Sequence, residues 1–78
     1  MQSAYEIQLK EVGSNVRHFR KKKGLTMEDL AAKAEIELRQ LGRVERGEVN
    51  PTLISLFKIA DALGIDAYIF LMKRKEIG

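Results

Sequence analysis

Seventy-eight residues with 14 Lys and Arg against 11 Asp and Glu carry a net charge of +3, which admits a nucleic-acid partner without demanding one. The chain has no cysteine, so disulfide staples and thiolate metal sites are excluded, and its longest apolar run, Ala67 to Met72, is far too short to cross a membrane. With 45% hydrophobic residues and a single Pro, one small helical domain is expected, near the lower size at which a core suffices by itself.

The start of the chain carries Glu6, Lys10 and Glu11 without an apolar block, so no signal peptide is expected and the protein is read as cytoplasmic. Tyr5, Leu9, Val12, Val16 and Phe19 then recur at steps of four and three, one helical stripe. Lys21, Lys22 and Lys23 crowd the last turn, where cations complement the helix dipole, and Gly24 suits a left-handed cap. Gly13-Ser14-Asn15 is poor helix-forming sequence and marks either a break or a new N-cap. Residues 1–11 are accordingly expected as a packed, helical extension, 12–74 as the domain and 75–78 as a tail.

A second helix has a complete start signal: Thr26 as N-cap, Asp29 three residues on, and Leu25 with Leu30 as a hydrophobic staple. Ala31 and Ala34 allow close approach of another helix, and Glu35 to Glu37 form a turn around an inward Ile36. A third helix, about Leu38 to Arg46, turns Leu41 and Val44 inward and Arg39, Gln40, Arg43 and Arg46 outward, and Gly47 ends it. Thr52 caps a fourth, whose expected buried stripe is Leu53, Leu56, Phe57, Ala60 and Leu63 before Gly64. Asp66 is placed to cap a fifth, Ala67 to about Arg74, with Ile65, Phe70 and Leu71 inward. The outcome is an all-α, compact five-helix bundle without strands or internal repeats.

Val16-Arg17 with Phe19-Arg20, Gly24-Leu25-Thr26, Asp29-Leu30-Ala31, Arg43 to Gly47, Asn50 to Leu53, Ile59-Ala60 and Ala62 to Ile65 stand in one ungapped register. In this register the stretch from Val12 to Leu71, about 60 of 78 residues, resembles the Cro/C1-type (XRE) helix-turn-helix domains of phage repressors and small bacterial regulators. That resemblance implies a lambda-repressor-like fold with its helix-turn-helix at about 26–46 and a third helix that enters the DNA major groove. It implies base contacts from Leu38, Arg39 and Arg43 with Gln40 beside them, and phosphate contacts from Thr26, the Met27 backbone N–H, Arg46 and Asn50. It also implies a partly buried structural ion pair between Arg20 and Glu45. The chain departs from the family pattern at Glu35 for a turn Gly, Glu37 for a Ser or Thr cap, Gly42 within the third helix, and Met27 for Gln.

Arg39 and Arg43 are either guanine readers or a solvated face with Glu35 paired to Arg39. Leu38 either meets a thymine methyl or covers the bundle edge. Tyr68, Ile69 and Met72 exceed what so small a core needs, and serve either a homodimer interface or packing against Tyr5, Ile7 and Leu9. His18 has no second ligand or nucleophile placed near it, so no catalytic site, metal or cofactor is expected. The expected partner is double-stranded DNA bearing a two-fold symmetric operator, bound by a homodimeric transcriptional regulator. The alternative is an antitoxin or adaptor that holds a toxin-like protein through its last helix. Glu28, Asp29 and Glu35 are further candidates for touching RNA polymerase, and a restriction–modification controller is one role open to such a chain.

Overall fold

The first helix, α1, runs unbroken from Glu6 to Lys22 in a computed structural model that describes residues 4–77. Residues 1–3 of the expected extension and residue 78 of the expected tail lie outside the described residues. Gly13-Ser14-Asn15 is therefore neither a break nor a cap, and the reason is packing. A Cβ on Gly13 would run into the carbonyl oxygen of Val44 and stand 2.6 Å from that of Glu45. Glycine is needed because α3 crosses α1 there with backbone against side-chain-free backbone. Asn15 is fully buried, and its Nδ2 donates to the carbonyls of Phe70 at 3.1 Å and Met72 at 2.7 Å.

Helix α2 covers Met27–Ala34. Its capping box is closed in both directions: the Asp29 N–H donates to Thr26 Oγ1 at 3.0 Å, and the Thr26 N–H donates to Asp29 Oδ2 at 3.1 Å. Glu35 ends the helix at φ 57°, a left-handed conformation that a side chain adopts at some cost. Helix α3 covers Leu38–Glu45 and α4 covers Leu53–Leu63, the latter capped by Thr52 Oγ1 accepting from the Ser55 N–H. At its far end Lys23 Nζ donates to the Leu63 carbonyl at 2.9 Å, so the end of α1 closes the end of α4.

Val16, Leu30, Leu41, Val44, Ile59, Leu63 and Phe70 make the sealed core where these helices meet. On α4 Leu56, Ala60 and Leu63 are buried as expected and Ser55 and Ile59 join them, but Leu53 and Phe57 of the expected stripe are not buried. Leu53 is 67% exposed and Phe57 52% exposed. This helix is apolar around more than one face, and the bundle covers only the side that meets α2, the Ala67–Leu71 turn and α1.

The expected fifth α-helix is absent. Ala67–Leu71 forms a 3-10 turn and Arg74–Glu76 a second, so the architecture is four α-helices with two 3-10 turns and, among the described residues, no strand. Asp66 makes no side-chain cap, and Met72 is extended at ψ 153°. Asn15 of α1 fastens this non-helical segment by holding the Phe70 and Met72 carbonyls. Phe70 is buried as expected, Ile65 is half-buried, and Leu71, expected inward, is 69% exposed. Tyr5, counted in the α1 stripe, is exposed as well.

Candidate nucleic-acid interface

Helix α3 is weak by its own sequence. Glu37 stands at its N-cap without a side-chain hydrogen bond, and Gly42 sits in its interior. Arg39 and Arg43, one turn apart, repel each other by about 0.2–0.5 kcal/mol. Neighbouring elements hold it instead. Arg20 grips Glu45 with two bonds, Nε to Oε2 at 2.7 Å and Nη2 to Oε1 at 3.1 Å, and adds a third from Nη1 to the Leu25 carbonyl. Both side chains are nearly sealed from water, at 10% and 5% exposure.

Gln40 is half-buried, and its Nε2 donates to Ser55 Oγ at 3.0 Å, which also accepts from the Thr52 hydroxyl. This network ties the middle of α3 to the start of α4. Gly47, at φ 71°, closes the helix against α1, where a Cβ would stand 2.7 Å from the Lys10 Cα. Gly42 is also buried, beneath the ends of the Met27 and Arg46 side chains.

What this leaves outside is the row expected to contact DNA. Arg39 and Arg43 are exposed, and among the described residues neither side chain makes a hydrogen bond or an ion pair, so the Glu35–Arg39 pair does not form. Together with Glu37, Gln40 and Val49 they line a shallow cleft of about 220 Å³. Leu38 is exposed at the start of α3, and Thr26 at the start of α2. Met27 occupies the first helical position of α2, where a backbone N–H has no acceptor within its own helix. Asn50 is exposed in the loop between α3 and α4.

Arg46 is not free. Its Nε donates to Glu48 Oε2 at 2.9 Å and its Nη2 to Oε1 at 3.2 Å, on the surface. That hydrogen bonding, then the charges of Arg46 and Arg43, hold the Glu48 carboxyl below the usual range, and the same pairing raises Arg46. Glu48 was not anticipated as part of this surface, although its place two residues beyond Arg46 is a signal for such a pair. The Ser55 partner of Gln40 had no comparable signal, because the two residues meet only through the fold.

The apolar residues expected to exceed the core, Tyr68, Ile69 and Met72, are only in part uncovered. Tyr68 is exposed, while Ile69 and Met72 are half-buried. Leu53, Ile54 and Phe57 of α4 form a second exposed apolar group. No group of metal-ligating side chains occurs among the described residues, and no helix is long and apolar enough to cross a membrane.

Residues 16–70 match the helix-turn-helix family. The chain is 45% identical over 56 residues to the HTH-type transcriptional regulator y4dJ of Sinorhizobium fredii, a span that covers 72% of this chain and 73% of that protein. It is similar in structure to the restriction-modification controller protein C.AhdI from Aeromonas hydrophila, with a TM-score of 0.80 and 34% identity over 82% of this chain and 97% of that one. SinR, the master regulator for biofilm formation, solved in complex with DNA, matches with a TM-score of 0.75 and 29% identity, over 78% of this chain and 98% of that one.

Proposed function

The chain belongs to the Cro/C1-type helix-turn-helix family of transcriptional regulators, and from that premise we propose that it reads duplex DNA through the outer side of α3 as a homodimer. One observation carries this reading: Arg39 and Arg43 stand unpaired on a helix that other elements hold rigid. An unpaired guanidinium fork fits O6 and N7 of guanine in the major groove. Leu38 at the leading end is placed for a thymine methyl. Gln40 gives one amide N–H to Ser55, which keeps the helix in register with α4, and retains its second N–H and its oxygen for a base edge.

The phosphate contacts fall to Thr26 and the Met27 N–H at the start of α2, to Asn50, and to Arg46 once it leaves Glu48. Arg20 with Glu45 holds the reading helix and touches no DNA. Pairing of two copies is assigned to the exposed Leu53, Ile54 and Phe57 of α4 and to Tyr68, with the half-buried Ile69 and Met72 beside it along the C-terminal turn. A symmetric dimer reads half-sites about 34–36 Å apart. No substrate-converting centre is part of this reading, and the protein acts in the cytoplasm on its operator.

Binding to duplexes selected from random sequence, followed across salt concentration, tests it. Log K is expected to fall with log salt at a slope of about −0.9 per phosphate neutralised. Arg39→Ala and Arg43→Ala are each expected to weaken the selected site by about 1–3 kcal/mol and leave thermal unfolding unchanged. Failure to select any duplex sinks the DNA reading. A monomer by sedimentation at all concentrations, or a dimer untouched by Phe57→Asp and Tyr68→Asp, sinks the pairing surface. The exposed Leu71 and Tyr68 favour one rival, an adaptor that docks a toxin-like protein there. Co-purification of that partner without selected DNA decides for the rival.

A further inference from the structure

A second cationic feature lies on α1, made of residues disjoint from those assigned to DNA. Arg17, His18, Lys21 and Lys22 share the flank of the helix opposite the buried Val12 and Val16, and Arg74 joins them from the C-terminal turn. With Ser14 they line a depression of about 420 Å³ in which no carboxylate takes part. Among the described residues, Arg17, Lys21 and Lys22 form no ion pair, and Lys22 has only the Phe19 ring, 6.0 Å from its Nζ, beside it.

The depression is assembled by the tertiary fold. Asn15, fully buried, pins the Phe70 and Met72 carbonyls, and the chain leaving Met72 delivers Arg74 back onto α1. There Arg74 Nη2 donates to His18 Nδ1 at 3.0 Å. A guanidinium has only donors, so this bond makes Nδ1 an acceptor and keeps the proton of the neutral ring on Nε2. Burial, and then the charges of Arg74 and Lys22, lower the basicity of His18 in agreement. Neutral His18 thus offers an N–H donor amid four fixed positive charges without adding a fifth.

From this juxtaposition we infer that the α1 flank is a binding site for a small ligand carrying two or more adjacent phosphates. Arg17 to Lys22 spans about 7.5 Å along the helix at 1.5 Å per residue, a compact array rather than an extended track. Arg17 and Arg74 supply planar forks, Lys21 and Lys22 point charges, and Ser14 and His18 neutral donors, the complement that clustered phosphate oxygens require. The site gives this regulator a place to sense a phosphorylated metabolite away from the surface assigned to DNA.

Nuclear magnetic resonance titration of the isotope-labelled full chain with inorganic pyrophosphate, against sulfate at matched ionic strength, tests the inference. Saturable shifts are expected at Ser14 to Lys22 and at Arg74, with pyrophosphate bound at least about tenfold more tightly than sulfate. Arg17→Gln with Lys21→Gln is expected to weaken pyrophosphate by about tenfold or more, with melting temperature and duplex binding unchanged. Equal affinity for the two anions overturns the inference, as does indifference to the double substitution. Shifts of the same amides by duplex DNA, with pyrophosphate silent, overturn it in favour of a further DNA contact.

Discussion

Helices α2 and α3 are each eight residues long and adjacent in the helix-turn-helix, yet they are stabilised in opposite ways. Helix α2 carries its own instructions: a closed capping box, acidic residues in the first turn, and Ala31 and Ala34 toward its neighbours. Helix α3 has no side-chain cap, an interior glycine and two like charges one turn apart. It is held by Arg20, Ser55 and the backbone of α1. The lesson is that a reading helix need not be intrinsically stable. Anchoring its inner side through the fold leaves the outer side free of internal obligations, and so available to a partner.

That contrast can be broken most severely at the anchor. Arg20→Ala leaves Glu45 charged and sealed, and is expected to cost about 3–5 kcal/mol by urea unfolding. Replacing both partners with apolar residues of similar volume is expected to recover most of the loss, because no lone charge remains buried. A smaller effect is expected at the crossing of α1 and α3. By helix propensity Gly13→Ala should stabilise by about 0.5–1 kcal/mol, but the new Cβ meets the Val44 and Glu45 carbonyls. The expected net result is a loss of about 1–3 kcal/mol in the same assay, and a gain would show that α3 is not seated where the contacts place it.

The self-sufficient member of the pair is tested at its cap. Thr26→Ala is expected to cost about 1 kcal/mol in thermal unfolding, a local loss that leaves the Arg20–Glu45 bond intact. The pH dependence follows from Asp29, whose carboxyl is held below the usual range first by the Thr26 backbone N–H and then by the Thr26 hydroxyl. A depressed folded-state value means that the stabilisation is complete above the unfolded carboxyl's range and is lost as pH falls through the folded one. The gap in melting temperature between the parent and Asp29→Asn should therefore close on acidification. The smallest effect is expected at Gly42. Its Cβ would meet only the mobile ends of Arg46 at 3.1 Å and Met27 at 3.2 Å, so Gly42→Ala should gain up to about 0.5–1 kcal/mol. Differential scanning calorimetry resolves that gain, and a loss there would show that α3 has no slack on this side.

Much of the fold was legible in advance wherever a signal is local. The Thr26 and Thr52 caps, the left-handed Gly24 and Gly64, and the inward pairs of α3 act within one or two turns of chain. Glu35 stands at positive φ in the place where the family pattern has a turn glycine, a position marked by the family register and not by a local signal. The errors fell where the decisive atom lies far along the chain. Gly13 read as part of a break or a new N-cap, where α3 in fact packs against it, and the C-terminal segment read as a fifth helix, where 3-10 turns are fastened to α1 by Asn15. On α4 Leu56, Ala60 and Leu63 were legible as buried, but the packing of the neighbouring elements put Ile59 with them and left Leu53 and Phe57 out.

By itself, then, the sequence determined the all-helical class, the family register, the caps and the identity of the outward arginines, because these depend on periodicity and short-range hydrogen bonding. Tertiary structure alone decided which apolar residues stay uncovered, that Gln40 is tied to Ser55, and that Arg74 joins the α1 lysines. Those outcomes turn on a few ångströms of contact between distant segments, and burial or pairing at that range has no signature in residue spacing.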